Sequence, residues 1–317
     1  MTGSTPIGAA RRLVRLALLG CLGALLVALS LVSAVSADPR IAFVRENFAG
    51  NHYSHVWTIA PDGTGLKRLT AAAANDLAPA WSSQRGTIAF IRSRSGDVYD
   101  RRARLMLMRS DGTNQRQLVH EGPSLTSGSK ALAYSPNGRL LAGGTSLRTK
   151  NGYGHVWAVT VLDLKSRVSR IIYRYPSQNG IQSLTWSPNG KQLVATVEYG
   201  GGYGMFRIDV GRKRLLKEYD GGQESASWRP DGKYLLCAKW FPGEAGAPFR
   251  TLLIRPGGAV VATLGEEQRH PVYSPDGSRY AFVGPANTLA RADADGANVT
   301  NILVGRQNMG ISSPAWK

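Results

Sequence analysis

Tyr134-Ser-Pro-Asn-Gly138 is one copy of a short phrase that recurs along the whole chain. Further copies stand at Trp186-Ser-Pro-Asn-Gly190, Trp228-Arg-Pro-Asp-Gly232 and Tyr273-Ser-Pro-Asp-Gly277. A degenerate copy begins at Trp81, and a truncated one, Ser313-Pro-Ala-Trp316, closes the sequence. The six aromatic residues are spaced by 53, 52, 42, 45 and 43 residues. This spacing is close to the period of a four-stranded propeller blade.

The residues around each phrase predict the strands of such a blade. Proline presets one backbone angle, and Asn or Asp followed by Gly tolerates the positive φ of a tight hairpin turn. A short apolar run follows each phrase, as in Thr87-Ile-Ala-Phe-Ile91 and Tyr280-Ala-Phe-Val283. A third apolar run and a more polar fourth one come next. Nearly continuous apolar runs are typical of strands whose two faces are both covered.

The two ends of the chain predict how the ring closes. The folded part begins at a second strand, Arg40-Ile-Ala-Phe-Val44, and the chain finishes on a lone first strand, Ser313-Pro-Ala-Trp316. These two fragments complete one blade. We therefore predict an all-β fold, a six-bladed β-propeller with four antiparallel strands per blade, whose C-terminal strand pairs with the N-terminal blade.

Residues 1–37 have the pattern of an export signal. Arg11, Arg12 and Arg15 precede an uncharged apolar run over residues 16–37, and Val35-Ser36-Ala37 fits a cleavage site. The expected domains are a signal peptide over 1–37, or an uncleaved N-terminal anchor, and one propeller over 38–317. We expect a periplasmic or extracellular protein, attached to a membrane only if residues 16–37 are retained.

Composition and charge restrict the function classes. Hydrophobic residues make up 43% of the 317 residues, which excludes wholesale disorder. The net charge is +18 and falls to +15 without the signal. This excess favours anionic partners, but export argues against a nucleic acid. Only Cys237 remains after cleavage, so no internal disulfide can form, and its apolar neighbours predict a buried thiol.

The repeats resemble the WD40-like repeats of the TolB propeller superfamily, whose unit reads approximately Trp-Ser-Pro-Asp-Gly, an Ile-Ala-Phe-like strand, Asp-Gly and a Leu-Thr ending. The resemblance covers residues 40–317. It implies a propeller that works in an envelope complex, as TolB proteins do with a peptidoglycan-associated lipoprotein. Those proteins also carry an α/β domain ahead of the propeller, which we do not expect here. Prolyl-oligopeptidase-like enzymes share such propellers, but the sequence has no Gly-x-Ser-x-Gly motif.

The loops between second and third strands are the candidate functional surface, because they vary in length and are rich in Arg, Tyr and Gly. A tyrosine recurs just before the third strand in three copies, and basic residues surround it. We hypothesise that this rim binds an envelope protein or an anionic glycan; alternatively, the tyrosines recur only because the hairpins are copies. The candidate residues are Tyr53, His55, Arg101, Arg102, Arg148, Tyr153, His155 and Tyr203.

The sequence favours a non-catalytic binding scaffold, most simply a monomeric propeller. It contains no nucleophile motif, metal-ligand cluster or phosphate loop, so we expect no cofactor and no metal. Two alternatives stay open. One is a lyase or hydrolase that acts on an anionic polysaccharide through the rim or the channel, and the other is a purely structural subunit of a larger complex.

Overall fold

Six four-stranded antiparallel sheets form a closed ring in the computed structural model of this chain. The structure describes residues 39–47, 53–82, 84–95, 100, 102–127, 129–148, 155–175, 180–243, 249–306 and 309–317, and for His155 the backbone alone. Residues Pro39–Lys317 form one compact unit. The six-bladed all-β fold predicted from the repeats is therefore confirmed.

Blade I joins the two ends of the chain, as predicted. Its inner strand is the last strand of the chain, and Ile41 lies opposite Trp316 in the pairing. The sheet then continues outward along the N-terminal strands. In order from the channel outward, its strands are β24 (Met309–Trp316), β1 (Ile41–Asn47), β2 (Ser54–Ile59) and β3 (Lys67–Arg68).

The other five blades follow one another along the chain, each from its inner to its outer strand. Blade II contains β4 (Asn75–Ser82), β5 (Thr87–Ser93), β6 (Arg104–Arg109) and β7 (Arg116–Gln117). Blade III contains β8 (Ala133–Tyr134), β9 (Leu140–Arg148), β10 (His155–Asp163) and β11 (Val168–Tyr175). Blade IV contains β12 (Ile181–Trp186), β13 (Gln192–Tyr199), β14 (Gly202–Asp209) and β15 (Arg214–Glu218).

Blades V and VI complete the ring. Blade V contains β16 (Gln223–Trp228), β17 (Leu235–Trp240), β18 (Phe249–Ile254) and β19 (Val260–Glu266). Blade VI contains β20 (Arg269–Tyr273), β21 (Arg279–Gly284), β22 (Thr288–Asp293) and β23 (Thr300–Leu303), with a 3₁₀ turn at Pro285–Asn287. No helix within the described ranges is long and apolar enough to cross a membrane. The predicted signal, residues 1–37, lies outside the described residues.

The repeated phrase forms the turn between the first two strands of a blade. In blade III, the Gly138 amide donates to the Ser135 carbonyl at 2.8 Å, and the Asn137 side chain accepts from the Arg139 amide at 3.0 Å. Gly138 has a φ of 66°, which a residue with a Cβ adopts only at a cost. These contacts are all local, so the sequence of the turn itself specifies this hairpin.

Apolar clusters fill the seams between neighbouring blades. Ile41, Phe43 and Ala281 belong to one cluster shared by blades VI and I, and five further clusters occupy the other seams. Both faces of each sheet are therefore covered by the neighbouring blades, which explains the continuous apolar runs in the second strands. Cys237 is fully buried in the seam between blades IV and V, and burial raises the pKa of its thiol to about 12. The expectation of a buried cysteine is met.

Candidate functional site

The ring has two faces of different chemistry. We call the face with the loops between second and third strands, and with the connections between blades, the upper face. The lower face carries the hairpin turns of the repeated phrase. Because the upper loops differ from blade to blade, the upper face is where side chains can specify a partner.

Two of the three recurring tyrosines lie within the described residues. Tyr53 immediately precedes β2, and Tyr203 lies in β14; both are partly exposed. Blades I and IV stand on opposite sides of the six-blade ring, so the two tyrosines do not meet. Tyr203 packs edge-on against Trp240 of blade V, with ring centroids 6.4 Å apart. Tyr153 lies outside the described residues.

His55 is held in the seam between blades I and II. The Arg68 guanidinium donates to its Nε2 over 2.7 Å, which requires a neutral ring. Burial lowers the pKa of His55, and the charges of Arg68 and Arg92 lower it further, while Asp76 raises it. Its Nδ1 is buried and has no hydrogen-bond partner among the described residues. The imidazole is therefore a neutral part of the seam.

The predicted basic residues lie in blades II and III. Arg102 and Arg148 are exposed, and neither forms an ion pair within the described residues. The backbone amide of Arg102 donates to the Asp100 carboxylate at 2.8 Å, which fixes the start of β6. Arg148 ends β9 opposite His155. Arg101 and the side chain of His155 lie outside the described residues.

A central channel with a volume of about 290 Å³ runs between the inner strands of all six blades. Its wall changes character along its length. Trp81, Trp186 and Trp316, from the repeated phrase and its copies, line it together with small residues, whereas Lys130 and Gln182 bring polar groups to it. Lys130 is exposed and forms no ion pair within the described residues. The channel can therefore receive an anionic or hydrogen-bonding group.

His270 is the one histidine among the channel-lining residues of the described chain. It sits on a β-bulge with a φ of 50°, followed by Pro271, so its side chain leaves the strand where regular pairing is interrupted. Burial lowers the pKa of its imidazole, and the charges of Arg269 and Lys130 lower it further, although Glu224 raises it. His270 is therefore a neutral hydrogen-bonding group at neutral pH.

Two buried carboxylates are neutralised near the ends of the inner strands. Asp76 is fully buried and accepts two hydrogen bonds from Arg92, at 2.6 and 2.9 Å. Glu224 is similarly buried and forms an ion pair with Arg269 of the next blade. In this pair Arg269 Nε donates to Oε2 of Glu224 at 3.1 Å. Burying a charge is unfavourable unless it is paired. These acids therefore hold the inner strands in place and are not free to bind a cation.

The channel lining offers groups that can bind an anion or a hydrogen-bonding partner. Within the described ranges, no group of three or more His, Cys, Asp or Glu side chains could hold a metal ion. The channel has a neutral imidazole, an unpaired ammonium and an amide. These groups can accept or donate hydrogen bonds and attract an anion.

Sequence reasoning missed the channel residues. His270 lies three residues before the aromatic of its repeat, where the other copies have Ala78, Ala131, Ser183, Ser225 and Ser313. Alignment of all six copies would have singled out this position, because five small residues and one histidine face a common axis. The loop comparison did not include it, since it lies on a strand.

No protein-family model matches the chain. Over 88 residues it is 26% identical to the Tol-Pal system protein TolB of Francisella tularensis subsp. mediasiatica, a match that covers 27% of this chain and 20% of that protein. The match thus spans a fifth of the length of this curated relative.

Solved structures share the architecture. TolB from Acinetobacter baumannii superposes with a TM-score of 0.69 and 20% identity, over 90% of this chain and 68% of that one. An oligogalacturonate lyase in complex with manganese superposes with a TM-score of 0.55 and 13% identity, over 83% of this chain and 78% of that one. The chain is thus similar to TolB in part of its sequence, and its propeller is TolB-like in fold.

Proposed function

We propose that this chain is an exported, non-catalytic propeller that binds another protein of the cell envelope through its upper face. The similarity to the Tol-Pal system protein TolB carries this proposal, because it joins a stretch of matching sequence to a matching propeller. Residues 1–37 act as the export signal in this proposal. The propeller itself is the working part of the protein.

The proposed docking surface combines exposed cations with partly exposed tyrosines. Arg102, Lys130 and Arg148 carry unpaired charges within the described residues, and Tyr53 and Tyr203 add apolar area with a polar tip. Arginine and tyrosine are common in the energetic centres of protein interfaces. Unpaired positive charge also accelerates encounter with an acidic surface. The partner we propose is therefore a protein with an acidic docking surface.

Capture of envelope proteins by matched charge-reversed variants tests the proposal. The upper-face variant Lys130→Glu/Arg148→Glu removes two exposed cations from blade III. The control Lys191→Glu/Lys233→Glu makes the same charge change at two exposed positions of the lower-face turns. We expect one protein to be retained by the unmodified chain and the control and lost by the upper-face variant. Equal retention by both variants would contradict docking on the upper face.

A lyase acting on an anionic polysaccharide is the second candidate, favoured by the presence of both His270 and Lys130 in the channel wall. A neutral imidazole can accept the proton that such a reaction removes, and an ammonium can bind the substrate carboxylate. The test is incubation with polygalacturonate while ultraviolet absorbance reports unsaturated sugar ends. Under the binding proposal we expect no turnover. Turnover that disappears in His270→Gln would replace the binding proposal.

Cleavage of the signal is checked by sequencing the N-terminus of the exported protein. We expect it to begin at Asp38, directly after the Val35-Ser36-Ala37 site. A protein that retains Met1 and partitions with the membrane would instead support an N-terminal anchor over residues 16–37. Either result leaves the docking surface on the propeller available for the capture experiment.

A further inference from the structure

A second cavity lies in the seam between blades IV and V, away from the central channel. It has a volume of about 150 Å³. Its lining includes Cys237 and Leu252 of blade V and Lys217 of blade IV. The exposed residues Gly257 and Val260 mark where it opens to solvent on the outer wall of the ring. It shares no lining residue with the channel.

Three cations approach this cavity from two blades. Lys217 and Lys239 line it. Arg207 pairs with Lys217 across β14 and β15, so both side chains leave the sheet on the face toward blade V. Burial raises the pKa of the Tyr219 hydroxyl to about 12, and the nearby charge of Arg207 lowers it; Tyr219 also lines the cavity. The local potential is therefore positive.

These cations lack acidic partners. None of Arg207, Lys217 and Lys239 forms an ion pair within the described residues, and the Nε of Arg207 is buried without a hydrogen-bond partner there. The two ammonium groups lie instead near aromatic rings, Lys217 at 5.9 Å from the ring of Tyr219 and Lys239 at 5.5 Å from that of Phe241. A group of partly buried charges of the same sign is unfavourable unless a charge of the opposite sign binds beside it.

A buried amide gives the cavity a second recognition group. Gln223 lines it and is only 6% exposed, yet its Oε1 has no hydrogen-bond partner among the described residues. A buried acceptor without a donor is unfavourable. A ligand that brings a hydroxyl group would satisfy it. Asp220 is the one acid among the lining residues, and its negative charge opposes the binding of an anion.

We propose that the cavity between blades IV and V binds a small hydroxylated organic anion, whose anionic group pairs with Lys217 and Lys239 and whose hydroxyl donates to Gln223. The volume corresponds to about five water molecules in the liquid. This size fits a three-carbon hydroxy acid or a polyol phosphate and excludes a polysaccharide chain. Cys237 takes no chemical part, because its thiol is buried and protonated.

This site is independent of the proposed docking surface. Its lining residues belong to the seam and the outer wall, whereas the docking surface comprises Arg102, Lys130, Arg148, Tyr53 and Tyr203 of the upper face. The ligand would also bridge two blades, since Lys217 belongs to blade IV and Lys239 to blade V. Binding should therefore raise the melting temperature of the ring.

The test is titration calorimetry and thermal unfolding of the full chain with four matched probes. D-Glycerate and glycerol 3-phosphate carry hydroxyls and a charge, propionate carries only the charge, and glycerol carries only hydroxyls. We expect saturable binding and a higher melting temperature with one or both hydroxylated anions, weaker binding of propionate and none of glycerol. The stronger of the first two probes identifies the anionic group as carboxylate or phosphate.

Variants separate the site from a general ionic effect. Lys217→Gln and Lys239→Gln should each weaken binding about 10-fold, because each removes a charge-assisted hydrogen bond. Asp220→Asn should strengthen it, which a merely destabilising substitution would not do. Lys233→Gln, at an exposed turn of the same blade, is the control and should bind unchanged. The proposal is overturned if neither anion binds saturably, if glycerol acts equally, or if both lysine variants bind like the unmodified chain.

Discussion

Blades III and V hold their places in the ring by different means. The inner strand of blade III, β8, has two residues, whereas β16 of blade V has six. Ahead of β8, the chain pairs with other strands through its backbone: Glu121 bridges to Val168, and Ser129 bridges to Ile181 of blade IV. Blade V keeps an inner strand of full length and contacts its neighbour through a side chain.

That side chain is Glu224. It lies at a bulge in β16, where the regular pairing with β17 is interrupted. Its carboxylate forms an ion pair with Arg269 of blade VI. Arg269 in turn stacks over Phe249 of blade V at 4.6 Å, and its hydrogen bond to Glu224 raises the pKa of the guanidinium above its ordinary value. A seam can thus be fastened by backbone hydrogen bonds or by one buried ion pair. The two devices should respond differently to substitution.

The largest effect is expected when the ion pair between blades V and VI is broken. Arg269→Met leaves the carboxylate of Glu224 buried without a partner, and we expect a loss of about 3 kcal/mol in the free energy of unfolding. Urea denaturation measures it. The control is Arg139→Met, which removes an exposed partner of Asp163 and should cost less than about 1 kcal/mol.

A double variant sharpens the same comparison. Glu224→Gln in the Arg269→Met background removes the stranded charge and should recover part of the lost stability. If Arg269→Met is no more damaging than Arg139→Met, the pair does not fasten the seam, and blade V depends on its apolar contacts alone.

The next effect concerns blade III, where the chain ahead of β8 packs directly onto β9. A Cβ at Gly143 would lie 2.6 Å from the carbonyl oxygen of Leu125. Gly143→Ala should therefore push this segment away, with a loss of about 2 kcal/mol. Gly202→Ala is the matched control, because a Cβ there meets only the carbonyl oxygen of Tyr199 at 3.8 Å. Equal stability of the two variants in urea would show that the segment tolerates displacement.

A smaller effect is expected from the hydroxyl that ties this segment to β11. Ser169 is buried, and its Oγ lies 2.9 Å from the Glu121 carbonyl and 2.6 Å from the Pro123 carbonyl. Ser169→Ala should cost about 1 kcal/mol in the free energy of unfolding. Ser166→Ala, at an exposed turn, should be neutral. If Ser169→Ala leaves the free energy of unfolding unchanged, the backbone hydrogen bonds alone hold this segment against β11.

The contrast between these blades marks what the sequence predicts and what it does not. Six blades and the closure of the ring follow from the repeated phrase, because Pro and Asn/Asp-Gly fix each hairpin locally. The short β8 does not follow, although the longer spacings on either side of Tyr134 indicate extra chain there. Its bonds to Val168 and Ile181 depend on how two blades meet, which no local pattern encodes.

The candidate sites show the same limit. Tyr53 and Tyr203 could be proposed from the sequence because each recurs at one place in a repeat. Lys217 and Lys239 meet across a seam, 22 positions apart in the chain and in different blades, so only the packed ring brings them to one cavity. Glu224 and Arg269 are likewise 45 positions apart in the chain and form their ion pair between two blades. Spacing predicts positions within a blade but not contacts between blades.

The smallest effect expected is a pH dependence that originates beside the ion pair of blade V. Burial lowers the pKa of His270, Arg269 and Lys130 add to this, and Glu224 and Glu46 act in the opposite sense. The unfolded chain therefore binds a proton more readily than the folded one, and stability should fall as pH drops below the unfolded pKa of about 6.5. Above that pH the imidazole of His270 is neutral in both the folded and the unfolded chain, so it does not lower the stability.

His270→Gln should flatten this dependence between about pH 7 and pH 5. The measurement is the free energy of unfolding in urea at several pH values across that window. Part of the slope should remain, because burial and Arg68 also lower the pKa of His55 in the seam between blades I and II. Arg269→Met should flatten the slope as well, since it removes a charge that opposes protonation of His270. A slope unchanged by both substitutions would mean that the channel imidazole does not sense the charges at the seam between blades V and VI.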